Sequence, residues 1–129
     1  MEVLSVGVDI VELPRIRAVY ERHGERFLKR IYTEDERKRI ATLRDPVAYL
    51  SGRWAVKEAV MKVLGTGLSQ GVSWQDINVV RQPSGAPTVE LRGRSREHAV
   101  KLGLERVLVS ISHGREHAVA FATGLGMPK

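Results

Sequence analysis

Cysteine is absent from this chain of 129 residues. Its absence excludes disulfide bonds, zinc sites with thiolate ligands and cysteine nucleophiles. Aromatic residues are also scarce, at 5% of the chain, and they are not interleaved with basic residues as on many nucleic-acid-binding surfaces. No apolar segment approaches the roughly 20 residues of a membrane-spanning helix. We therefore expect neither nucleic acid nor a membrane as a partner.

The N-terminal residues show no basic leader followed by an apolar core, so we expect no signal peptide and a cytoplasmic location. Hydrophobic residues make up 43% and charged residues 28% of the chain, which is typical of a globular protein. The length predicts one domain that spans residues 1–129. The formal net charge of +6 favours an acidic partner, such as an acidic protein or a phosphorylated cofactor.

Hydrophobic periodicity and turn-forming residues predict an α+β fold. The predicted elements are a strand over 3–10, helices over 14–23, from 33 and over 45–64, strands over 76–81 and 87–91, a helix over 95–102, and strands over 106–112 and 117–123. A loose tail is expected from residue 124 onward. Because helices cluster before most of the strands, we expect a single domain with an antiparallel sheet packed with helices.

The predicted helix over 45–64 carries charged residues in an otherwise apolar segment. They are Arg53, Lys57, Glu58 and Lys62. Charges with little polar surface around them are costly unless something pairs them, and a metal ion with an anionic ligand would pair all four. The alternative for Glu58 is an exposed ion pair with Lys62, which contributes only about 0.3–0.5 kcal/mol.

Asp9 lies near the end of the first predicted strand, on the same face as Ser5 and Gly7. A carboxylate in this position either serves a site or caps the following turn. Together, Asp9 and Glu58 would form a magnesium site, because Mg²⁺ is usually held by one or two carboxylates plus waters and phosphate oxygens.

Two further features are candidates for phosphate binding. The backbone amides of Gly65, Thr66 and Gly67 could accept a phosphate, although such a segment usually only ends a helix. His113 follows a predicted strand, where it either contacts phosphate or bonds the backbone of a turn.

Basic residues also cluster on and just after the first predicted helix. They are Arg15, Arg17, Arg22 and Arg26. Such a cluster is usually a solvated face, and the alternative is a docking surface for an acidic helix.

Several of these segments, in this order, resemble the motifs of the holo-acyl carrier protein synthases, the small phosphopantetheinyl transferases. The matching segments are 7–12, 27–33 with Glu36, 54–59, Lys62 with 65–67, 85–87 and 110–113. Each motif is weak alone, but the ordered series is specific and covers nearly the whole chain. The resemblance implies the 4′-phosphopantetheinyl transferase fold.

The implied reaction moves 4′-phosphopantetheine from coenzyme A to a serine of apo acyl carrier protein and releases adenosine 3′,5′-bisphosphate. The resemblance implies that Asp9 and Glu58 bind Mg²⁺ and that Lys57 stabilises the phosphoryl group during transfer. The base that takes the serine proton would be Glu58 or a metal-bound water.

The resemblance also implies binding residues and an assembly. The residues expected near the phosphates and adenine of coenzyme A are Arg53, Lys62, Gly65, Thr66, Gly67 and His113. Arg15 would make the main contact with the carrier protein, and Arg22 and Arg26 lie on the same predicted surface. The family forms homotrimers with active sites at subunit interfaces.

The sequence leaves two alternatives open. The first is a phosphopantetheinyl transferase that acts on a different carrier. The carrier would be recognised by the arginine surface, which consists of Arg15, Arg17, Arg22 and Arg26, and not by the metal site, so the motifs do not distinguish the carriers. The second is a non-catalytic basic module that binds nucleic acid or anionic ligands. That module would leave Glu58 unexplained.

Overall fold

The chain begins with a long strand that four α-helices follow. The structure is a computed structural model, and it describes all residues from 1 to 129. The elements are β1 (Glu2–Glu12), α1 (Leu13–His23), α2 (Glu25–Ile31), α3 (Glu34–Ile40), α4 (Val47–Leu64), β2 (Ile77–Arg81), β3 (Pro87–Leu91), α5 (Gly93–Leu102), β4 (Leu104–His113) and β5 (His117–Gly126). A short 3-10 turn, Trp74–Asp76, precedes β2. This is the predicted single-domain α+β fold.

The strands form two antiparallel sheets. In the larger sheet β5 lies in the centre, between β1 and β4, whereas β2 and β3 form a separate hairpin. The antiparallel arrangement was predicted, but its division into two sheets was not.

Helix α4 is the core helix and packs on one face of the larger sheet. The residues of β5 on this face are all small: Ala118, Ala120, Ala122 and Gly124. Small side chains let a helix lie close to a sheet, so α4 is buried on several sides and its charged residues are forced to find partners. Although α4 has 18 residues, no helix is both long and apolar enough to span a bilayer.

The opposite face of the larger sheet is apolar and uncovered within one chain. We call it the exposed sheet face, and it consists of Val6, Val8, Ile10, Leu108, Val119 and Phe121. These side chains are between 36% and 65% exposed. The strand alternation predicted in β1 is correct, but its apolar side points away from α4.

The predicted ends of several helices are confirmed by their capping geometry. The Thr33 hydroxyl accepts a hydrogen bond from the Glu36 amide at 3.2 Å, and the Glu36 carboxylate accepts one from the Thr33 amide at 2.9 Å, which is the predicted capping box. Helix α4 ends at Gly65, whose φ of 73° is the left-handed conformation that favours glycine.

Two predictions of local structure were wrong. Helix α2 was missed, because Gly24 ends α1 and also begins α2 without a side-chain cap. The tail is not loose from residue 124, since β5 continues to Gly126. The backbone of Gly126 lies against Gly103, and the Met127 amide donates to the Gly103 carbonyl at 3.1 Å.

Candidate active site

Strand β1 lies against α4 through three contacts that depend on particular residues. The Ser5 hydroxyl donates to the Val63 carbonyl at 2.9 Å. A Cβ at Gly7 would collide with the Ala59 carbonyl oxygen, so only glycine allows this approach. The Lys62 ammonium donates to the Val8 carbonyl at 2.7 Å. These contacts fix the inner face of β1 on the helix, and Asp9 is the next residue on that face.

The approach of β1 to α4 brings Asp9 and Glu58 together. The side chain of Asp9 is only 19% exposed, and its Oδ1 lies 3.4 Å from Nζ of Lys62. Glu58 precedes Lys62 by one helical turn, on the same face of α4. Burial raises the pKa of the Glu58 carboxyl and the negative charge of Asp9 raises it further, whereas Lys62 and Arg15 lower it. The two carboxylates therefore interact, and two cations lie within electrostatic range.

This pair of carboxylates fits a hard divalent cation. No group of three or more histidine, cysteine, aspartate or glutamate side chains is placed to hold a metal ion, so Asp9 and Glu58 would be the only protein ligands of their kind. Mg²⁺ accepts one or two carboxylates and takes its other ligands from water and phosphate oxygens. A bound cation would also relieve the electrostatic repulsion between the two carboxylates.

The glycine-rich segment follows α4 directly, next to Lys62. Both Gly65 and Gly67 have positive φ angles, of 73° and 56°, and a Cβ at either would meet nothing within 4 Å. Open space at both glycines leaves room for a ligand close to the backbone. The Thr66 hydroxyl is already used, because it donates to the Gly67 carbonyl at 2.9 Å.

Lys57 does not face this site, so its role in stabilising the phosphoryl group has no direct contact to support it and stays a prediction. Its side chain is completely buried, and its ammonium lies 2.9 Å from Oε1 of Glu36. It also donates to the carbonyls of Trp74 at 3.0 Å and Ile77 at 2.7 Å. Neighbouring residues of a helix point about 100° apart, and here Lys57 points into the interior toward Glu36 while Glu58 points toward Asp9. Burial lowers the pKa of Lys57, and Glu36 opposes that change.

Arg53 also lies away from the carboxylates, about 140° around α4 from Glu58. Its guanidinium stacks 4.2 Å from the centroid of the Tyr49 ring, and its Nε is buried without a hydrogen-bond partner. With Arg39 and Arg81 it lines a pocket of about 380 Å³. The idea that one metal and one anion pair all four charges of α4 is therefore wrong, because the charges point to three different surroundings.

His113 ends β4 and is exposed, at the same end of the larger sheet as the end of β1. It pairs with Ala118 of β5, which in turn pairs with Val11 of β1. Because β5 lies between β4 and β1, two inter-strand spacings separate them, and the backbone of His113 lies about 10 Å from that of Val11. Within one chain, His113 therefore lies near the Asp9 end of the sheet, while the side-chain partner of Asp9 is Lys62.

The arginine surface lies on α1 and α2. Arg15 is exposed in the first turn of α1, and its charge acts on Glu58. Arg22 is near the end of α1, and Arg26 on α2 lies 2.9 Å from Nδ1 of His23. Arg17 is held instead by Asp45, at 2.8 Å.

An apolar groove that sequence reasoning missed opens beside this surface. We call it the Trp54 groove. It has a volume of about 410 Å³ and is lined by Val19, Phe27, Ile31, Trp54, Leu68 and Trp74, with His23, Arg26 and Arg30 also in its walls. Because Trp54 precedes Glu58 by four residues, the groove lies on the face of α4 that carries Glu58. That spacing was the available sequence signal.

A family model described as the 4′-phosphopantetheinyl transferase superfamily matches residues 5–122 of this chain. The chain belongs to this family. The resemblance predicted from the ordered motifs is thereby confirmed, and so is the fold that it implied.

Named relatives and solved structures agree with this membership. The chain is 45% identical over 125 residues to holo-[acyl-carrier-protein] synthase of Chlamydia pneumoniae, which covers 97% of this chain and 99% of the relative. It matches the crystal structure of the synthase from Neisseria meningitidis with a TM-score of 0.89 and 31% identity, over 96% of this chain and 99% of that one. The Helicobacter pylori synthase in complex with coenzyme A matches with a TM-score of 0.82 and 29% identity, over 94% and 100%.

Proposed function

We propose that this chain transfers 4′-phosphopantetheine from coenzyme A to a serine of an apo acyl carrier protein and releases adenosine 3′,5′-bisphosphate. The observation that carries the proposal is the Asp9–Glu58 pair beside Lys62, in a member of the phosphopantetheinyl transferase family. The names of the relatives and the coenzyme A bound to the Helicobacter pylori synthase support the same reaction.

Asp9 and Glu58 are the residues that would hold Mg²⁺, which when bound would neutralise negative charge on the pyrophosphate of coenzyme A. Lys62 projects beside Asp9 and would bind a phosphate oxygen. The carrier serine attacks the phosphorus next to the pantetheine arm, and the bond to the bridging pyrophosphate oxygen breaks. Glu58 is our candidate for the group that accepts the serine proton, because it is the less tightly paired carboxylate at the site.

We further propose that the chain forms a homotrimer in which the active sites lie between subunits. The exposed sheet face supports this, because contiguous apolar surfaces of this kind mark interaction sites on soluble proteins. The positions of Arg53 and His113 support it as well. Neither contacts the carboxylate pair of its own chain, so a neighbouring subunit would have to bring its copies to the bound coenzyme A.

The carrier protein would dock on Arg15, Arg22 and Arg26. We expect Arg15→Glu to raise the Michaelis constant for the carrier about tenfold, which is roughly 1.4 kcal/mol, while the constant for coenzyme A barely moves. The reason is that the substitution reverses a charge that would meet an acidic helix. Steady-state kinetics with each substrate varied in turn measures both constants.

Two companion variants sharpen this test. Arg22→Glu changes the same surface farther from Glu58, and it should raise only the constant for the carrier. Lys101→Glu makes an equal change of charge on α5 and should leave both constants unchanged. Equal effects of Arg15→Glu and Arg22→Glu on both substrates would show that this surface does not bind the carrier.

The reaction itself is tested by mass spectrometry. The protein is mixed with apo acyl carrier protein, coenzyme A and magnesium, and the carrier should gain the mass of one phosphopantetheine group. Chelation of the metal should stop the transfer. An unmodified acyl carrier protein would direct the test to a different carrier, while the absence of transfer to any carrier and of coenzyme A binding would favour the non-catalytic basic module.

A cytoplasmic location stays a prediction of the sequence.

A further inference from the structure

The completely buried ion pair of Lys57 and Glu36 has no part in the reaction proposed above. Glu36 is tied to three neighbours: Lys57 at 2.9 Å, the Thr33 amide at 2.9 Å and the Val79 amide at 2.7 Å. The pair therefore joins α3, α4 and β2 at a single point. An ion pair at this depth adds little to stability, since the cost of removing two charges from water offsets their attraction.

The ion pair instead fixes the position of the 3-10 turn that precedes β2. Two of the hydrogen bonds of Lys57 end on the carbonyls of Trp74 and Ile77, at the first residue of the 3-10 turn and just after its last. Both carbonyls point at one ammonium group that α4 holds rigidly. The position of the turn relative to α4 is thereby fixed.

The turn places Trp74 against Trp54. The two ring systems lie 4.6 Å apart at an angle of 33°, and Phe27 lies 6.0 Å from Trp54. This stack forms one wall of the Trp54 groove, one helical turn from Glu58. A shift of the turn would release Trp54 and change the groove beside the carboxylate pair.

We propose that Lys57 is a positioning residue for phosphopantetheine transfer: Glu36 holds its ammonium group, which fixes the Trp74 turn and so keeps Trp54 beside the active site. The inference rests on the proposed function, because the activity it explains is transfer to the carrier. It replaces the direct contact of Lys57 with phosphate by an indirect action through an aromatic stack.

The test compares Lys57→Met, Glu36→Gln and the double variant. The chain has only two tryptophans, so the tryptophan–tryptophan exciton couplet in its circular dichroism spectrum comes from the Trp54–Trp74 pair, and Trp74→Ala shows which part of the signal that is. We expect each single variant to weaken the couplet and to lower kcat/KM by about tenfold per folded molecule, with the folded fraction taken from urea unfolding. The double variant should be no worse than Lys57→Met, because both changes break one linkage.

Two results would overturn the proposal. If Lys57→Met lost activity with an unchanged couplet while Glu36→Gln stayed fully active, Lys57 would act on the substrate directly. If both variants were less stable but fully active per folded molecule, the pair would be merely structural.

Trp74→Ala keeps the proposal testable even where the Lys57 variants fail to fold. It leaves the ion pair intact, removes the stack and should lower kcat/KM to a similar extent. Full activity of Trp74→Ala would refute the role of the stack. A wild-type protein without transfer activity would instead count against the proposed function, and the couplet would still show whether Lys57 positions Trp74.

Discussion

Asp9→Asn and Glu58→Gln should each lower phosphopantetheine transfer by about two orders of magnitude or more. A metal-bound charge contributes several kcal/mol to such a transfer, and each 1.4 kcal/mol is a factor of ten. The amide side chains keep the size of the originals but lose the charge that would bind the cation. Transfer rates measured over a magnesium titration, together with Mn²⁺ binding in the presence of coenzyme A, would test the expectation.

Both variants should remain folded, because removing one of two neighbouring like charges relieves repulsion. The melting temperature is therefore expected to stay level or to rise. Glu97→Gln on α5 is the matched control, since it removes a carboxylate that pairs only with Arg94 at the surface. Full activity of either Asp9→Asn or Glu58→Gln would remove the metal assignment.

Phe121→Glu should convert the proposed trimer into monomers and abolish most of the activity. Phe121 lies on the central strand β5, in the middle of the exposed sheet face, and is 46% exposed in the single chain. A buried, unpaired carboxylate at this point would oppose association strongly, whereas the isolated chain would tolerate it in contact with water. Light scattering should give a molar mass of three times 14.4 kDa for the wild type and of 14.4 kDa for the variant.

Val100→Glu provides the control for this substitution. Val100 is an apolar residue of α5 with comparable exposure, but it lies outside the exposed sheet face, so its variant should remain trimeric and active. A wild-type protein that is active as a monomer would contradict the proposed assembly.

Local patterns predicted those parts of the molecule that depend on neighbouring residues in sequence. The Thr33–Glu36 capping box and the helix end at Gly65 follow from short motifs, and both are present. The ordered motifs also indicated that Asp9 and Glu58 lie together, although 49 positions separate them in sequence. The alternation of apolar and polar residues also predicted the strand that carries Asp9.

Features that depend on distant residues could not be predicted in this way. Lys57 stands next to Glu58 in sequence, but its partner Glu36 belongs to another helix, and no periodicity links the two. The alternation of apolar and polar residues in β1 defines two faces but does not predict which of them packs against a helix. That choice is made by the contact between Gly7 and the Ala59 carbonyl, which only the tertiary structure shows.

In the proposed trimer, association would cover the exposed sheet face and would tie catalysis to the amount of chain present. In a three-chain assembly, the population of complete sites rises with the third power of the free chain concentration. Dilution should therefore switch activity off steeply rather than in proportion, and substrates that bridge two subunits should protect the assembly. A cell that makes too little of this chain would then hold apolar, inactive monomers, so the affinity of one sheet face for another would set the lowest useful expression level.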